Sequence, residues 1–305
     1  MKWSEAEIWL RNELTGLYDE AEAANIASWV MEHLTGVSRI DRITRRDDPL
    51  PVDLLHQLTA VHHRLLQHEP VQYVLGECHF YGMKLFVDNN VLIPRRETEE
   101  LVDWIVKDVK AAGKDVFERR LFEADVTTEL KILDVGTGSG CIALALKKAM
   151  PKAEVWGCDV SEGALNVARR NGSVLDIRVD FQGLNFLDTA QQKGLPTVDI
   201  VVSNPPYIPL HDKESMRPNV VVHEPHTALF VPDNNALVFY EALALFGHHR
   251  LYPGGSIYCE IHEDLGPAVE ALFEREGYAT ELRKDMQGKN RMVKAVAKVS
   301  GTPNS

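Results

Sequence analysis

The sequence predicts an α/β fold: a mostly parallel, open sheet with helices on both faces, preceded by a small helical bundle and joined to it by a β-hairpin. Three observations carry this. From Lys131 onward, short apolar strands alternate with helical patterns, the signature of a parallel sheet. Before about His68, apolar residues recur three and four positions apart, which is a helical period. Between these regions, the run from Cys78 to Val87 reads as two short strands turning at Tyr81-Gly82, a hairpin.

Taken in order, Ser4 with Glu7 fits a capping box for a first helix carrying Ile8, Leu10, Leu14 and Leu17. A second helix runs from Glu20 to His33, with Ile26, Trp29, Val30 and Leu34 on one face and Gly36 as its stop. Pro51 opens a third, striped by Leu54, Leu55, Leu58, Val61, Leu65 and Leu66. The segment from Glu69 to Gly76 breaks the helical pattern. The run Ile93-Pro94-Arg95-Arg96-Glu97-Thr98-Glu99 then starts another helix, with acidic residues where the helix dipole favours them. Arg95 and Thr98 either face a ligand or tie this connector to the domain that follows. Residues 111–130 read as an insertion, with a short helix from Phe117 to Ala124.

Beyond it, Lys131 to Val135, Glu154 to Asp159, Ile177 to Phe181, Asp199 to Ser203 and Ser256 to Ile261 are expected as strands. Helices are expected over Cys141 to Ala149, Glu162 to Arg170, Asn235 to His249 and Asp264 to Glu276. Two more strands, Thr280 to Arg283 and Met292 to Val299, close a seven-stranded sheet as a hairpin.

A net charge of -12 argues against a broad electrostatic grip on nucleic acid. The first residues lack the apolar core of a signal peptide and no run is long enough to cross a bilayer, so a cytoplasmic protein is expected. Cys78, Cys141, Cys158 and Cys259 show no CxxC spacing and sit in apolar stretches, which reads as buried, reduced thiols. The pairs His62-His63 and His248-His249 fall in helical patterns, where adjacent side chains point apart; no metal site is expected from them.

Chemistry concentrates at three strand ends. The apolar run Asp199 to Ser203 stops at Asn204-Pro205-Pro206-Tyr207. Two prolines lack backbone donors and fix the direction in which the chain leaves the strand. Asn204 is thereby held at the carboxyl edge, where open α/β sheets bind ligands. Its side-chain oxygen and a prolyl carbonyl form a pair of acceptors for the two donors of a planar NH2 group, with Tyr207 as a flat wall; a stiff loop that only caps a strand is the bland alternative. Upstream, Leu133-Asp134-Val135-Gly136-Thr137-Gly138-Ser139-Gly140 sets a glycine-rich turn between strand and helix, where backbone approaches a ligand closely. Cys141 takes the place of the third glycine of a dinucleotide fingerprint, which disfavours a nicotinamide cofactor. Asp159, about 20 positions on, ends the next strand with a carboxylate suited to ribose hydroxyls.

In this order, GxGxG, acidic strand end and NPPY resemble the Rossmann-like class I S-adenosylmethionine-dependent methyltransferases that modify planar nitrogens. The helical module, the Glu69-to-Gly76 segment, Ile93-Pro94-Arg95 with Glu97-Thr98-Glu99, and Glu224-Pro225 followed by Ala228-Leu229 resemble one family among them, the peptide chain release factor glutamine N5-methyltransferases (PrmC/HemK). The resemblance implies a substrate-recognition domain at 1–75, a hairpin linker at 76–93, a methyltransferase domain at 94–300 and a tail at 301–305. It also implies S-adenosylmethionine as cofactor, S-adenosylhomocysteine as product, and a release factor as partner of a monomeric enzyme with no membrane or direct nucleic-acid binding. By the same resemblance, Gly136, Thr137, Gly138, Ser139 and Gly140 line the cofactor's methionine part, and Asp159 takes its ribose. Asn185 and Phe186, where the family has an acidic-aromatic pair, meet the adenine. Asn204, Pro205, Pro206 and Tyr207 hold the substrate glutamine, with Asn204 near the transferred methyl and Asn204, Pro205 and Tyr207 as the catalytic set. Arg96 departs from the family's proline. Two rivals stand beside this reading: an N-methyltransferase acting on exocyclic amines of DNA or RNA, and a non-catalytic cofactor-binding adapter.

Overall fold

The computed structural model describes residues 1–112, 129–216 and 218–298; the short helix expected from Phe117 to Ala124 lies outside them. Backbone contacts divide the chain into two units, Met1–Glu77 with Met216–His223, and Cys78–Ser215 with Glu224–Ser305.

The first unit is helical: α1 (Trp3–Leu14), α2 (Glu20–Thr35), α3 (Arg39–Thr44), α4 (Val52–Leu66) and α5 (Val71–Leu75). Its core joins Leu10, Leu14, Ile26, Val30, Met31, Leu58 and Leu65. The expected Ser4–Glu7 capping box is not formed. The helix starts earlier, because Lys2 bridges to Pro49 and its backbone N–H donates to Glu5 Oε2 at 2.7 Å, while the Ser4 hydroxyl donates to the Arg46 carbonyl. Trp3 is thereby drawn into the core and Ile8 turned out. Trp29, expected on the buried face of α2, and Leu66, expected on that of α4, are exposed as well. Gly36 does close α2 in the left-handed region, at φ 65°. Neither α3 nor α5 has an apolar period to announce it. The first is fixed instead by a buried arginine, Arg42, which donates to Ser28 O, Ser28 Oγ and Val37 O.

The second unit opens on the expected hairpin, β1 (Cys78–Phe80) against β2 (Met83–Leu85). Tyr81 (φ 47°) and Gly82 (φ 67°) are both left-handed, the turn that matches strand twist in a two-residue connection. Next comes α6 (Arg96–Ala112). Arg96 is its first residue, the position where proline is favoured but not required.

Seven strands then form one sheet: β3 (Lys131–Val135), β4 (Glu154–Asp159), β5 (Asp180–Gly183), β6 (Val198–Ser203), β9 (Leu251–Glu260), β10 (Tyr278–Lys284) and β11 (Asn290–Ala297), in the order β10-β11-β9-β6-β3-β4-β5. The numbers skipped belong to a two-residue parallel ladder, β7 (Ile208–Pro209) with β8 (Phe230–Val231). The first five strands of the sheet are parallel, and β11 runs antiparallel to both β9 and β10, closing the sheet as the expected hairpin. Strand β5 starts later than expected, at Asp180, because the preceding helix runs on to Leu175 and ends on Asp176 at φ 54°.

Alternate residues of the central strands feed two cores. Ile132, Ile200 and Val202 pack with Leu101, Trp104 and Ile105 of α6 and with Leu144 and Leu165 on one face. Leu133, Val135 and Val201 pack with Tyr240, Phe246 and Phe273 on the other. One glycine marks where the sheet carries the ligand turn closely: a Cβ on Gly157 would lie 2.8 Å from the Phe181 ring and 2.8 Å from Thr137 Oγ1. Gly157→Ala is therefore expected to destabilise the protein by ~1–3 kcal/mol, the usual cost of overpacking, read as a lower urea midpoint. An unchanged midpoint would mean that Phe181 moves aside freely.

Candidate active site

The site is built by register. Val135 pairs with Cys158 and with Ser203, and Ser203 pairs with Cys259. One step further, Gly136, Asp159, Asn204 and Glu260 stand side by side along the carboxyl edge. The strand order reverses around β3, with β4 on one side and β6 on the other, the switch point at which open α/β sheets bind ligands. A cleft of about 1050 Å³, its open mouth included, lies there. Gly136, Thr137, Gly138, Ser139, Asp159, Asn185, Phe186, Asn204, Pro205 and Pro206 are among its lining residues.

The glycine turn curls over the end of β4: the N–H groups of Gly136 and Thr137 both donate to Cys158 O, at 2.9 and 3.0 Å. Gly136 (φ 70°) and Gly138 (φ 54°) are left-handed, and a Cβ on either would meet nothing within 4 Å, so their open faces border the cleft. Gly140 differs, because a Cβ there would press on Ala168 and Phe181 at 3.1 Å. It seats the helix Cys141–Ala149 against the sheet and does not line the cleft. Asp134 is fully buried beneath the turn. Its Oδ2 accepts from Thr137 Oγ1 (2.6 Å) and Ala143 N (3.2 Å), and its Oδ1 has no partner. Burial pushes this carboxyl up to about 7. Asp159 accepts from Gly138 N through Oδ2 and from Ser161 N through Oδ1, both at 2.9 Å. Burial raises its pKa, against the opposing pull of these N–H donors.

Asn204 leaves β6, whose six residues are all buried. Its Nδ2 donates to Thr98 Oγ1 at 3.2 Å, and Thr98 Oγ1 donates to Glu260 Oε2 at 2.7 Å. Arg95 also borders the cleft; it pairs with the buried Glu224, which accepts from Ile93 N as well. Of the two readings open for Arg95 and Thr98, each therefore has a share: both border the cleft, and both are tied into the domain. Asn185 stands at the rim with its Oδ1 accepting from Leu187 N. Phe186 is buried against Phe246, with ring centroids 5.3 Å apart. Tyr207 lies outside the cleft lining, its ring 5.9 Å from that of His262.

Three residues of this site did not emerge as site residues from the sequence reading. Glu260 carried a readable signal, an acidic residue at the end of a predicted strand, as at Asp159. Asp134 carried another, a carboxylate inside the strand that feeds the glycine turn. Glu224 stood out only as part of the family pattern, with no sign of its partners, Ile93 and Arg95, which lie about 130 residues away.

The residues present suit S-adenosylmethionine. The unfilled faces of Gly136 and Gly138 leave room at the turn, and both Asp159 oxygens keep acceptor capacity for a ribose after their backbone bonds. The buried Asp134 keeps an unpaired oxygen, Oδ1, beneath the glycine turn. Residues 5–76 match the family model "PrmC N-terminal domain" and residues 113–229 match "Methyltransferase small domain". The chain is 37% identical to the release factor glutamine methyltransferase of Flavobacterium psychrophilum, over 92% of this chain and 94% of that one. It is 37% identical to the enzyme of the same name from Bacteroides thetaiotaomicron, over 94% and 97%. With that of Streptococcus pneumoniae it shares 36%, over 91% and 93%. Among solved structures, the hMettl16 catalytic domain in complex with the MAT2A 3'UTR hairpin 6 shares the fold, with a TM-score of 0.52 and 15% identity over 74% of this chain and 79% of that one. Near-full-length identity at this level, with the glycine turn, the acidic strand end and NPPY at one sheet edge, places the chain in the release factor glutamine methyltransferase family of S-adenosylmethionine-dependent enzymes.

Proposed function

We propose that this enzyme methylates the side-chain amide nitrogen, N5, of the glutamine in the Gly-Gly-Gln motif of peptide chain release factors. The observation that carries this reading is the state of Asn204: its amide nitrogen is engaged by Thr98, which leaves its oxygen as an acceptor for a donor in the cleft. A planar carboxamide NH2 offers two such donors. Asn204 Oδ1 takes one and the Pro205 carbonyl takes the other, while Pro206, which lines the cleft, bounds the space around the glutamine.

Gly136, Thr137, Gly138 and Ser139, with Asp159, Asn185 and Phe186, would hold S-adenosylmethionine, which supplies an electrophilic methyl group; Gly140 seats the helix behind them. The amide nitrogen is a poor nucleophile because its lone pair is delocalised into the carbonyl. Two acceptors on its N–H bonds draw density back to nitrogen and fix its direction. Orientation of this kind contributes roughly 7–11 kcal/mol. As the methyl–sulfur bond breaks and the nitrogen–methyl bond forms, the amide nitrogen becomes cationic and strongly acidic and sheds one proton to solvent, so no strong base is needed; the Asn204 and Pro205 oxygens only accept hydrogen bonds from its N–H groups. The helical unit is the natural reader of the release factor.

Methyl-labelled S-adenosylmethionine, incubated with the protein and a bacterial release factor, is expected to label the wild-type factor and not one whose Gly-Gly-Gln glutamine is replaced. Label on nucleic acid instead would overturn the substrate and keep the cofactor. Cofactor binding with no transfer to any acceptor would point to an adapter.

A further inference from the structure

We infer that Thr98 and Glu260 are positioning residues for the methyl-transfer step: the relay Glu260–Thr98–Asn204 locks the Asn204 carboxamide with its oxygen toward the cleft. This rests on the reading of Asn204 as an acceptor for the substrate amide and explains how a freely rotatable group is held to that role.

An asparagine amide turned over by half a rotation fills the same space and presents NH2 instead of oxygen. The substrate N–H meant for Asn204 Oδ1 would then face an N–H of the enzyme. What prevents this is the number of protons along the relay. A carboxylate only accepts, so Thr98, with one hydroxyl proton, donates it to Glu260 Oε2 at 2.7 Å. The lone pairs left on Thr98 Oγ1 must receive a donor, and the one supplied is Asn204 Nδ2 at 3.2 Å. Thr98 and Glu260 are each 2% exposed, so water does not compete for these bonds. The Glu260 backbone is fixed in turn by Tyr240, whose hydroxyl donates to Glu260 O.

The same relay makes the orientation depend on protonation. A protonated Glu260 can donate to Thr98, which then has its own proton free for the Asn204 oxygen, and the reversed amide becomes the satisfied one. Burial pushes Glu260 up to about 7, with the Thr98 bond and Arg291 acting the other way. The groups facing it are Arg95 and Glu97 at the start of α6, Tyr207 from the NPPY loop, Tyr240 from the helix Val238–Arg250 and Arg291 from β11. Ionised Glu260 is the working form, so kcat rises with pH through this range.

The test uses the full chain with labelled cofactor and a release factor. Thr98→Val, equal in size but without the hydroxyl, is expected to lower kcat about 10- to 100-fold, the usual cost of removing a supporting group behind a reacting one. KM for the factor and cofactor affinity should change much less than kcat, as for an interaction made in the transition state. Thr98→Ser, which keeps the hydroxyl, recovers most of the rate. In the wild type, kcat climbs between about pH 6 and 8, and Glu260→Gln flattens that profile, since a carboxamide does not titrate. An activity-free readout is the pair of Asn204 side-chain amide proton resonances, identified by their loss in Asn204→Ala. They should shift with the Glu260 titration in the wild type and lose that shift in Thr98→Val and Glu260→Gln. Full kcat in Thr98→Val, equal loss in Thr98→Ser, or an unchanged pH profile in Glu260→Gln overturns the relay while leaving the substrate reading intact. A wild-type enzyme that labels no glutamine overturns the substrate reading itself, and the resonances still report on the relay.

Discussion

Asn204→Ala is expected to lower the rate of methyl transfer by about a thousandfold or more while leaving cofactor affinity within a few-fold of wild type. One preorganised acceptor at a reacting centre is typically worth about 3 kcal/mol, roughly two factors of ten. In the proposed binding mode the same group also fixes the direction of the nucleophile, and part of the orientational advantage goes with it. The cofactor contacts proposed at the glycine turn and at Asp159 lie on neighbouring strands and do not depend on the carboxamide. Asn204→Asp, of the same shape, separates shape from hydrogen bonding. It has no NH2 to donate to Thr98 Oγ1, and it places a second carboxylate near Glu260, so it too is expected to fail. Initial rates at saturating cofactor, with calorimetry of cofactor binding, decide the matter; a rate within tenfold of wild type in Asn204→Ala would remove this residue from the chemistry.

The sheet and its edge were legible because period and punctuation agree there. Apolar runs of strand length end on residues that cannot continue a strand, Gly136 after β3 and Asn204-Pro205 after β6, and a parallel sheet brings successive ends to one edge whatever the exact register. What single runs do not contain is the pairing that sets Glu260 beside Asn204, or the bond that carries Thr98 of α6 to Glu260 across 162 positions. Boundaries failed where tertiary contacts outweighed local signals. The first helix begins at Trp3 because its chain end is bridged to Pro49, and β5 starts late because the helix before it keeps burying Asn171 and Gly172 beyond Arg170. Trp29 looked like core by its spacing and is 49% exposed. Spacing places a side chain on a face of the helix but does not reveal how wide that face is covered.

Asp159→Ala is expected to weaken S-adenosylmethionine or S-adenosylhomocysteine binding about a hundredfold while changing the stability of the unliganded protein by only ~1 kcal/mol. Two opposing effects explain the small second number. The carboxylate accepts from Gly138 N and Ser161 N, and its loss frees both donors, which costs about 1 kcal/mol for each net hydrogen bond. Burial raises the pKa of the same group, so its removal also relieves the penalty of holding a charge out of water. That penalty has a definite sign: the stability linked to Asp159 is greatest below the ordinary carboxylate range and is lost as pH rises through its raised folded value. Removing the residue should therefore flatten this part of the pH–stability curve, and thermal melts from acid to neutral pH in wild type and variant would show it. Binding has no such offset: in the proposed placement the ribose hydroxyls lose a charged acceptor worth about 1.5–3 kcal/mol per hydrogen bond, and the turn around Gly138 loses its tether. Unchanged affinity in the variant would take Asp159 out of the cofactor site and leave it as a tether of the glycine turn alone.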